Sequence, residues 1–137
     1  MTAFVDTSSL IKRYVAEKGS SRFIKILMGL TDVVIAPITI IEIYSGLFRR
    51  LKDKSLASSA FQIIENELGR NFQDYSVVVW NEDLVMDSIA MARKHALRTL
   101  DAIQLASARM AGSLQFITSD QELARVAKKE IKEVLLV

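Results

Sequence analysis

The chain has no cysteine, a single histidine, His95, and a single proline, Pro37. Without cysteine there is no disulfide, no thiolate nucleophile and no thiolate zinc site, which agrees with a reducing compartment. One histidine is too few for a metal-free ribonuclease, which ordinarily pairs an acid with a base. No apolar run reaches the ~18 to 20 residues of a membrane span, and the first residues lack the basic, then apolar, then small-residue pattern of an export signal. A cytosolic protein without membrane contact is expected. A net charge of +2 with a pI near 9.0 suits an anionic partner and suits ordinary solubility equally well. Oxygen ligands are left to carry the chemistry.

At 137 residues the chain fits one domain, 1–137, able to bury roughly two thirds of the surface its unfolded form exposes. It carries no repeat, low-complexity tract or linker. Residues 2–5 form an apolar strand ending at Asp6. Thr7, Ser8 and Ser9 then cap a helix through Leu10, Ile11 and Tyr14. A second helix starts at Ser20 or Ser21, carries Phe23, Ile24 and Leu27, and stops at Gly29. Residues 33–36 are a β-branched strand closed by Pro37.

Thr39 and Glu42 form a Thr-x-x-Glu capping box ahead of a helix with Ile40, Tyr44, Leu47, Phe48 and Leu51 in one stripe. Residues 55–68 repeat the helical period and end at Gly69 and Asn71. Residues 75–80 read as a third strand with Trp80 in the core, and Asn81 caps a helix running to about His95. Asp101 opens an Ala-rich buried helix that Gly112 stops. Residues 114–118 form a fourth strand, Ser119 and Glu122 a second capping box, and residues 134–137 a last strand. Strands alternating with helices predict an α/β fold: a mostly parallel central sheet of four to five strands, flanked by helices on both faces.

In such sheets ligands bind beyond the carboxyl ends of the strands. Four acids, Asp6, Glu42, Asp101 and Asp120, fall where an apolar segment ends or a helix begins. Converging there, they would need a divalent cation to offset their repulsion, and magnesium favours oxygen donors. Ions held this way activate water for attack on a phosphodiester, so the pattern points to a metal-dependent phosphodiesterase. Each acid also has a structural reading. Glu42 is half of a capping box, Asp101 a first-turn residue, and Asp120 a neighbour of the Ser119 cap. For Asp6, nothing structural calls for a charge. His95, beside Arg93, Lys94 and Arg98, reads as solvated or as complementing a helix dipole. Lys12, Arg13, Arg49, Arg50, Lys52 and Lys54 read as a solvated face or as a path for a phosphate backbone, and Tyr14 and Tyr44 as stacking surfaces for bases.

Phe4-Val5-Asp6-Thr7-Ser8, Thr39-x-x-Glu42-x-x-Ser45, Leu97-Arg98-x-Leu100-Asp101-Ala102-x-x-Leu105-Ala106 and Ile117-Thr118-Ser119-Asp120-x-x-Leu123 occur in the order and approximate spacing of PIN domains. Across essentially the whole chain the sequence resembles the VapC-type toxins of toxin–antitoxin pairs. That resemblance implies a PIN-like three-layer sandwich and a Mg2+- or Mn2+-dependent endoribonuclease acting on RNA. It implies that Asp6, Glu42, Asp101 and Asp120 are the catalytic and metal-binding acids, supported by hydrogen bonds from Thr7 or Ser119. It also implies a homodimer silenced by a small VapB-type antitoxin, with the helices from Ser20 and Thr39 as contact surfaces.

Two other readings are distinguishable. One is a housekeeping PIN nuclease for RNA processing, without an antitoxin. The other is a non-catalytic metal-dependent interaction module, since Asp6-Thr7-Ser8-Ser9 begins like an Asp-x-Ser-x-Ser metal site; Leu10 at the fifth position argues against it.

Overall fold

The computed structural model describes residues 1–112 and 115–137. Five strands, β1 (Thr2–Val5), β2 (Asp32–Ile35), β3 (Ser76–Val77), β4 (Gln115–Thr118) and β5 (Val134–Leu136), form one sheet in the order β3-β2-β1-β4-β5. Every described pairing is parallel. Between the strands run α1 (Thr7–Leu10), α2 (Ser20–Met28), α3 (Thr39–Lys52), α4 (Ser58–Phe72), α5 (Glu82–His95), α6 (Thr99–Ala111) and α7 (Gln121–Ala127), with a 3-10 turn at Ile11–Arg13 after α1. The expected α/β class and three layers are therefore present. The expected start of the fourth strand at Leu114 lies outside the described residues.

β1 is buried on both faces because helices cover both, which is why it is apolar throughout rather than alternating. On one face Ala3, Val5, Val33, Ile35 and Ile117 meet Leu10, Tyr14, Phe23, Ile43, Leu47, Ile64 and Leu68 from the N-terminal half. On the other, Phe4, Val34 and Phe116 meet Leu84, Met91, Leu105, Ala106, Leu123 and Val126. Phe4 and Phe116 face each other in register across β1 and β4, their rings stacked 5.7 Å apart. The small residues of α6 let its backbone lie close to this second face. Gly112, at φ 63°, ends that helix in the left-handed conformation that glycine adopts without strain. No described helix is long and apolar enough to cross a membrane.

Several local expectations are corrected. The run at 75–80 pairs only through Ser76 and Val77, with Val78 N–H still donating to the Ile35 carbonyl at 3.0 Å. Trp80 lies beyond the strand and is 53% exposed, so it is not a core residue. A strand at the sheet edge has a neighbour on one side only, and β-propensity alone did not extend it. α4 runs through Gly69 to Phe72, because a side chain at Gly69 would meet nothing and the position demands no turn.

Neither capping box forms. α3 starts after Ile38 without a side-chain cap, and α7 is capped by Asp120, whose Oδ1 accepts from Leu123 N–H at 3.0 Å. Glu122 pairs instead with the exposed Arg125. Tyr14 is buried against Tyr75, their hydroxyls 2.7 Å apart, so it is no stacking platform. Lys12 is buried too, its Nζ donating to the Lys18 carbonyl at 2.6 Å. His95 is not solvated: its side chain packs against Glu130, which also takes Lys94 and Arg109.

Candidate active site

The strand order reverses between β1 and β4, and such a switch point opens a crevice at the carboxyl ends of the strands. Asp6 is the first residue past β1. Its N–H continues the ladder to the Ile117 carbonyl at 3.1 Å, so the backbone carries its side chain into the mouth of the crevice while leaving it buried. The carboxylate caps α1: Oδ1 accepts from Ser9 N–H at 3.2 Å and from Ser8 Oγ at 2.7 Å, and Oδ2 accepts from Thr118 Oγ1 at 2.8 Å. Asp6 therefore has a structural role that the sequence did not disclose. Three donors favour the ionised form, yet burial outweighs them, and the nearby charge of Asp120 adds to it. The Asp6 carboxyl is pushed up to about 7.

Hydroxyl groups lace the loops after β1 and β4. Ser8 Oγ accepts from Ser119 N–H at 2.9 Å, Thr118 Oγ1 accepts from Asp120 N–H at 3.1 Å, and Ser9 and Ser119 hydroxyls lie 2.8 Å apart. Ser119 thus holds the turn from behind and does not line the cleft.

Glu42 stands in the first turn of α3. Its Oε1 accepts from Thr7 Oγ1 and from Gln104 Nε2, each at 2.7 Å. Gln104 is buried on α6, one turn beyond Asp101, and its amide also reaches Thr7 Oγ1 at 2.9 Å and Thr39 Oγ1 at 3.2 Å. Thr39 and Glu42 are turned toward this amide, which is why they do not cap their own helix. Gln104, Ser8 and Thr118 are the polar residues of the site that sequence reasoning missed. For Gln104 a signal existed: three residues after Asp101, it shares that acid's helical face. Asp101, half-buried, is raised above the usual carboxylate range by burial first, then by the charges of Asp120 and Glu42, with Arg98 partly offsetting them.

All four acids line one cleft of about 500 Å³. Thr7, Ser8 and Gln104 share it, Ile38, Ile41 and Leu100 give it apolar stretches, and Ser45, Gly46, Arg49 and Arg50 form its α3 side. Among the described residues no three acidic or histidine side chains are grouped tightly enough to hold an ion by themselves. The donor set is nevertheless that of a hard cation: carboxylates with no sulfur or imidazole, two of them raised by burial and mutual repulsion that a positive ion would relieve. Hard divalent cations that keep several waters and take one or two protein carboxylates match those oxygen donors.

The model of the PIN domain family matches residues 3–129. The chain belongs to the PIN domain family. Solved PIN-like structures share its fold at low identity. A Pyrobaculum aerophilum protein superposes with a TM-score of 0.71 at 20% identity, covering 100% of this chain and 90% of that one. VapBC2 from Rickettsia felis, bound to a DNA fragment from its promoter, gives 0.71 at 10% identity, covering 100% and 99%. Mycobacterium tuberculosis VapC20, described as a sarcin–ricin loop cleaving toxin, gives 0.71 at 17% identity, covering 90% and 93%. The comparison with curated proteins finds no match. In this PIN domain the four acids that line the cleft come from four separate segments, the ends of β1 and β4 and the first turns of α3 and α6.

Proposed function

We propose that this PIN domain, taken as one unit over residues 1–137, is a Mg2+- or Mn2+-dependent endoribonuclease and the toxin of a toxin–antitoxin pair. The observation that carries the reading is the convergence of Asp6, Glu42, Asp101 and Asp120 on one cleft, with Asp6 and Asp101 raised above the ordinary carboxylate range. Family membership supports it, as do neighbours described as toxins and toxin–antitoxin complexes.

Asp6 and Asp101 are assigned as the principal ion-holding groups, with Glu42 and Asp120 beside them. A divalent cation bound there would supply Lewis-acid stabilisation and a more acidic water for hydrolysis of a phosphodiester. The chain's own residues do the positioning. Thr7 and Gln104 fix Glu42 Oε1, leaving its other oxygen without a protein partner among the described residues. Ser8, Ser9 and Thr118 orient both oxygens of Asp6. Burial makes Asp6 hold its proton to higher pH than an ordinary carboxyl, and positive charge entering the cleft would favour its release.

The expected partners are RNA as substrate, a small VapB-type antitoxin that covers the cleft, and a second copy of the chain, in the cytosol. The apolar residues α2 and α3 leave exposed, Met28 on the former and Ile41 and Phe48 on the latter, are the surfaces offered to protein partners. The test is cleavage of total cellular RNA by the purified chain with magnesium, with manganese and with chelator, beside Asp6→Asn. Discrete, metal-requiring cuts that vanish in the variant are expected. Cutting that persists in chelator or in the folded variant would overturn the assignment.

A further inference from the structure

The α3 side of the cleft carries two arginines whose surroundings differ. Arg49 follows Glu42 by seven residues, close to two helical turns, so both lie on one side of α3, about 10 Å apart along the axis. Gly46 lies between them with no side chain, and both guanidinium groups lie near the space a Cβ would take, at 3.2 Å for Arg50 Nη1 and 3.7 Å for Arg49 Nη2. Arg50 is already engaged: Nη1 donates to the Gly46 carbonyl at 3.0 Å, and Nη2 lies 3.4 Å from Glu17 Oε2. Arg49 is exposed, donates to Ser45 Oγ at 3.1 Å, and pairs with no carboxylate among the described residues.

A cation that lines a cleft of carboxylates without contacting one is available to an anion arriving from outside. Arginine's planar fork matches two phosphate oxygens at once. Its guanidinium folds back beside Ser45 and Gly46, one turn along α3 from Glu42, so it sits beside the acids without contacting one and is placed for a phosphate next to the one they hold. Ile41 and Leu100, 70% and 48% exposed on the cleft, offer apolar surface to the base between them.

We propose that Arg49 is a positioning residue that binds the phosphate neighbouring the scissile one and so sets the register of the RNA strand in the cleft. This rests on the ribonuclease reading and adds a residue to it. Because the phosphate interaction is independent of sequence, a mixed-sequence single-stranded oligoribonucleotide reports it.

The experiment follows binding of that labelled oligonucleotide by fluorescence anisotropy in chelator across a salt series, for wild type, Arg49→Gln, Arg49→Lys and Arg70→Gln. Arg70, near the end of α4, precedes the amino end of β3 and so lies at the sheet edge opposite the cleft, which makes it a control of equal charge. Arg49→Gln is expected to bind about tenfold more weakly, with a slope of log K against log salt shallower by about 0.7. Arg49→Lys restores the slope but only part of the affinity, and Arg70→Gln matches wild type. In magnesium, on an RNA the wild type cuts, Arg49→Gln raises KM about tenfold and leaves kcat within about twofold. If wild type cuts RNA and Arg49→Gln keeps its affinity, slope and KM, the Arg49 assignment falls and the ribonuclease reading stands. If wild type neither binds nor cuts RNA, both fall.

Discussion

Gln104 Nε2 and Glu42 Oε1 meet at 2.7 Å across 62 residues of chain, joining the first turn of α3 to α6 beneath the cleft. The amide is the only described nitrogen donor to that carboxylate oxygen, and it serves Thr7 and Thr39 as well. Gln104→Leu removes two N–H donors that three oxygens share, leaving Glu42 Oε1 with Thr7 as its one described donor. The expected result is a loss of about 1–3 kcal/mol in denaturant unfolding. Cleavage should fall by about tenfold even where the variant is fully folded, because Glu42 is then held by Thr7 alone. Equal activity per folded molecule would show that the amide serves the fold alone.

Asp6→Asn is expected to stabilise the metal-free protein at pH 8 while abolishing cleavage. The sign follows from the raised carboxyl. The folded state holds a proton on Asp6 up to about pH 7, whereas the unfolded chain releases it near 3.8, so wild-type stability falls as pH rises between those values. Three units correspond to about 4 kcal/mol, an upper figure for a buried group. Asparagine caps helices as well as aspartate does and carries no charge to bury. Thermal melts in chelator should show the variant above wild type at pH 8 and level with it at pH 4. An advantage that does not change with pH would contradict the assignment.

Metal binding should be coupled to the same proton. Below about pH 7 a cation must displace it, so affinity for Mn2+ falls up to tenfold per pH unit toward pH 5 and levels off above pH 8. Calorimetry in buffers of different ionisation enthalpy should find close to one proton released per binding event at pH 6 and almost none at pH 8. A pH-independent affinity would remove Asp6 from the ligand set.

Glu130 closes the opposite kind of cluster. It receives Lys94 at 2.6 Å, His95 at 2.8 Å and Arg109 at 3.3 Å; the hydrogen bond from Lys94 foremost, with that from His95 and the charges of Lys94 and Arg109, outweighs burial and holds it below the ordinary glutamate value of 4.5. Its contribution is present at neutral pH and is lost as pH falls through its lowered folded value. Glu130→Gln should cost about 1–3 kcal/mol at pH 7 in urea unfolding, with the gap to wild type closing as pH falls through its lowered folded value. Cleavage per folded molecule should be unchanged, since Glu130 does not line the cleft.

The alternation of strands and helices was legible because each buried strand is a short apolar run bounded by a turn residue or an acid. Asp6 and Asp120 were placed correctly beyond β1 and β4 for the same reason. What misled was chemistry that works locally in either of two ways. Thr39 and Glu42 have capping-box spacing, but a glutamine from α6 competes for both side chains and wins. Ser119 looked like a cap, yet Asp120, one residue on, had the geometry. Gln104 went unnoticed as one polar residue in an alanine-rich helix, since its importance depends on α3 lying opposite, which local periodicity does not encode. Trp80 was read by propensity, and the sheet ended before reaching it.

A methyl group at position 46 would stand 3.1 Å from Ile11 Cδ1, so α3 passes the turn that follows Asp6 with clearance for little more than a hydrogen atom. Gly46 and Ile11 both line the cleft on this side. Glu42 rides on the helix and Asp6 on the turn's near end, so a side chain at position 46 would press on the packing between the two segments that carry these acids. The shift this asks for, a few tenths of an ångström, is comparable to the tolerance within which metal–oxygen distances are held.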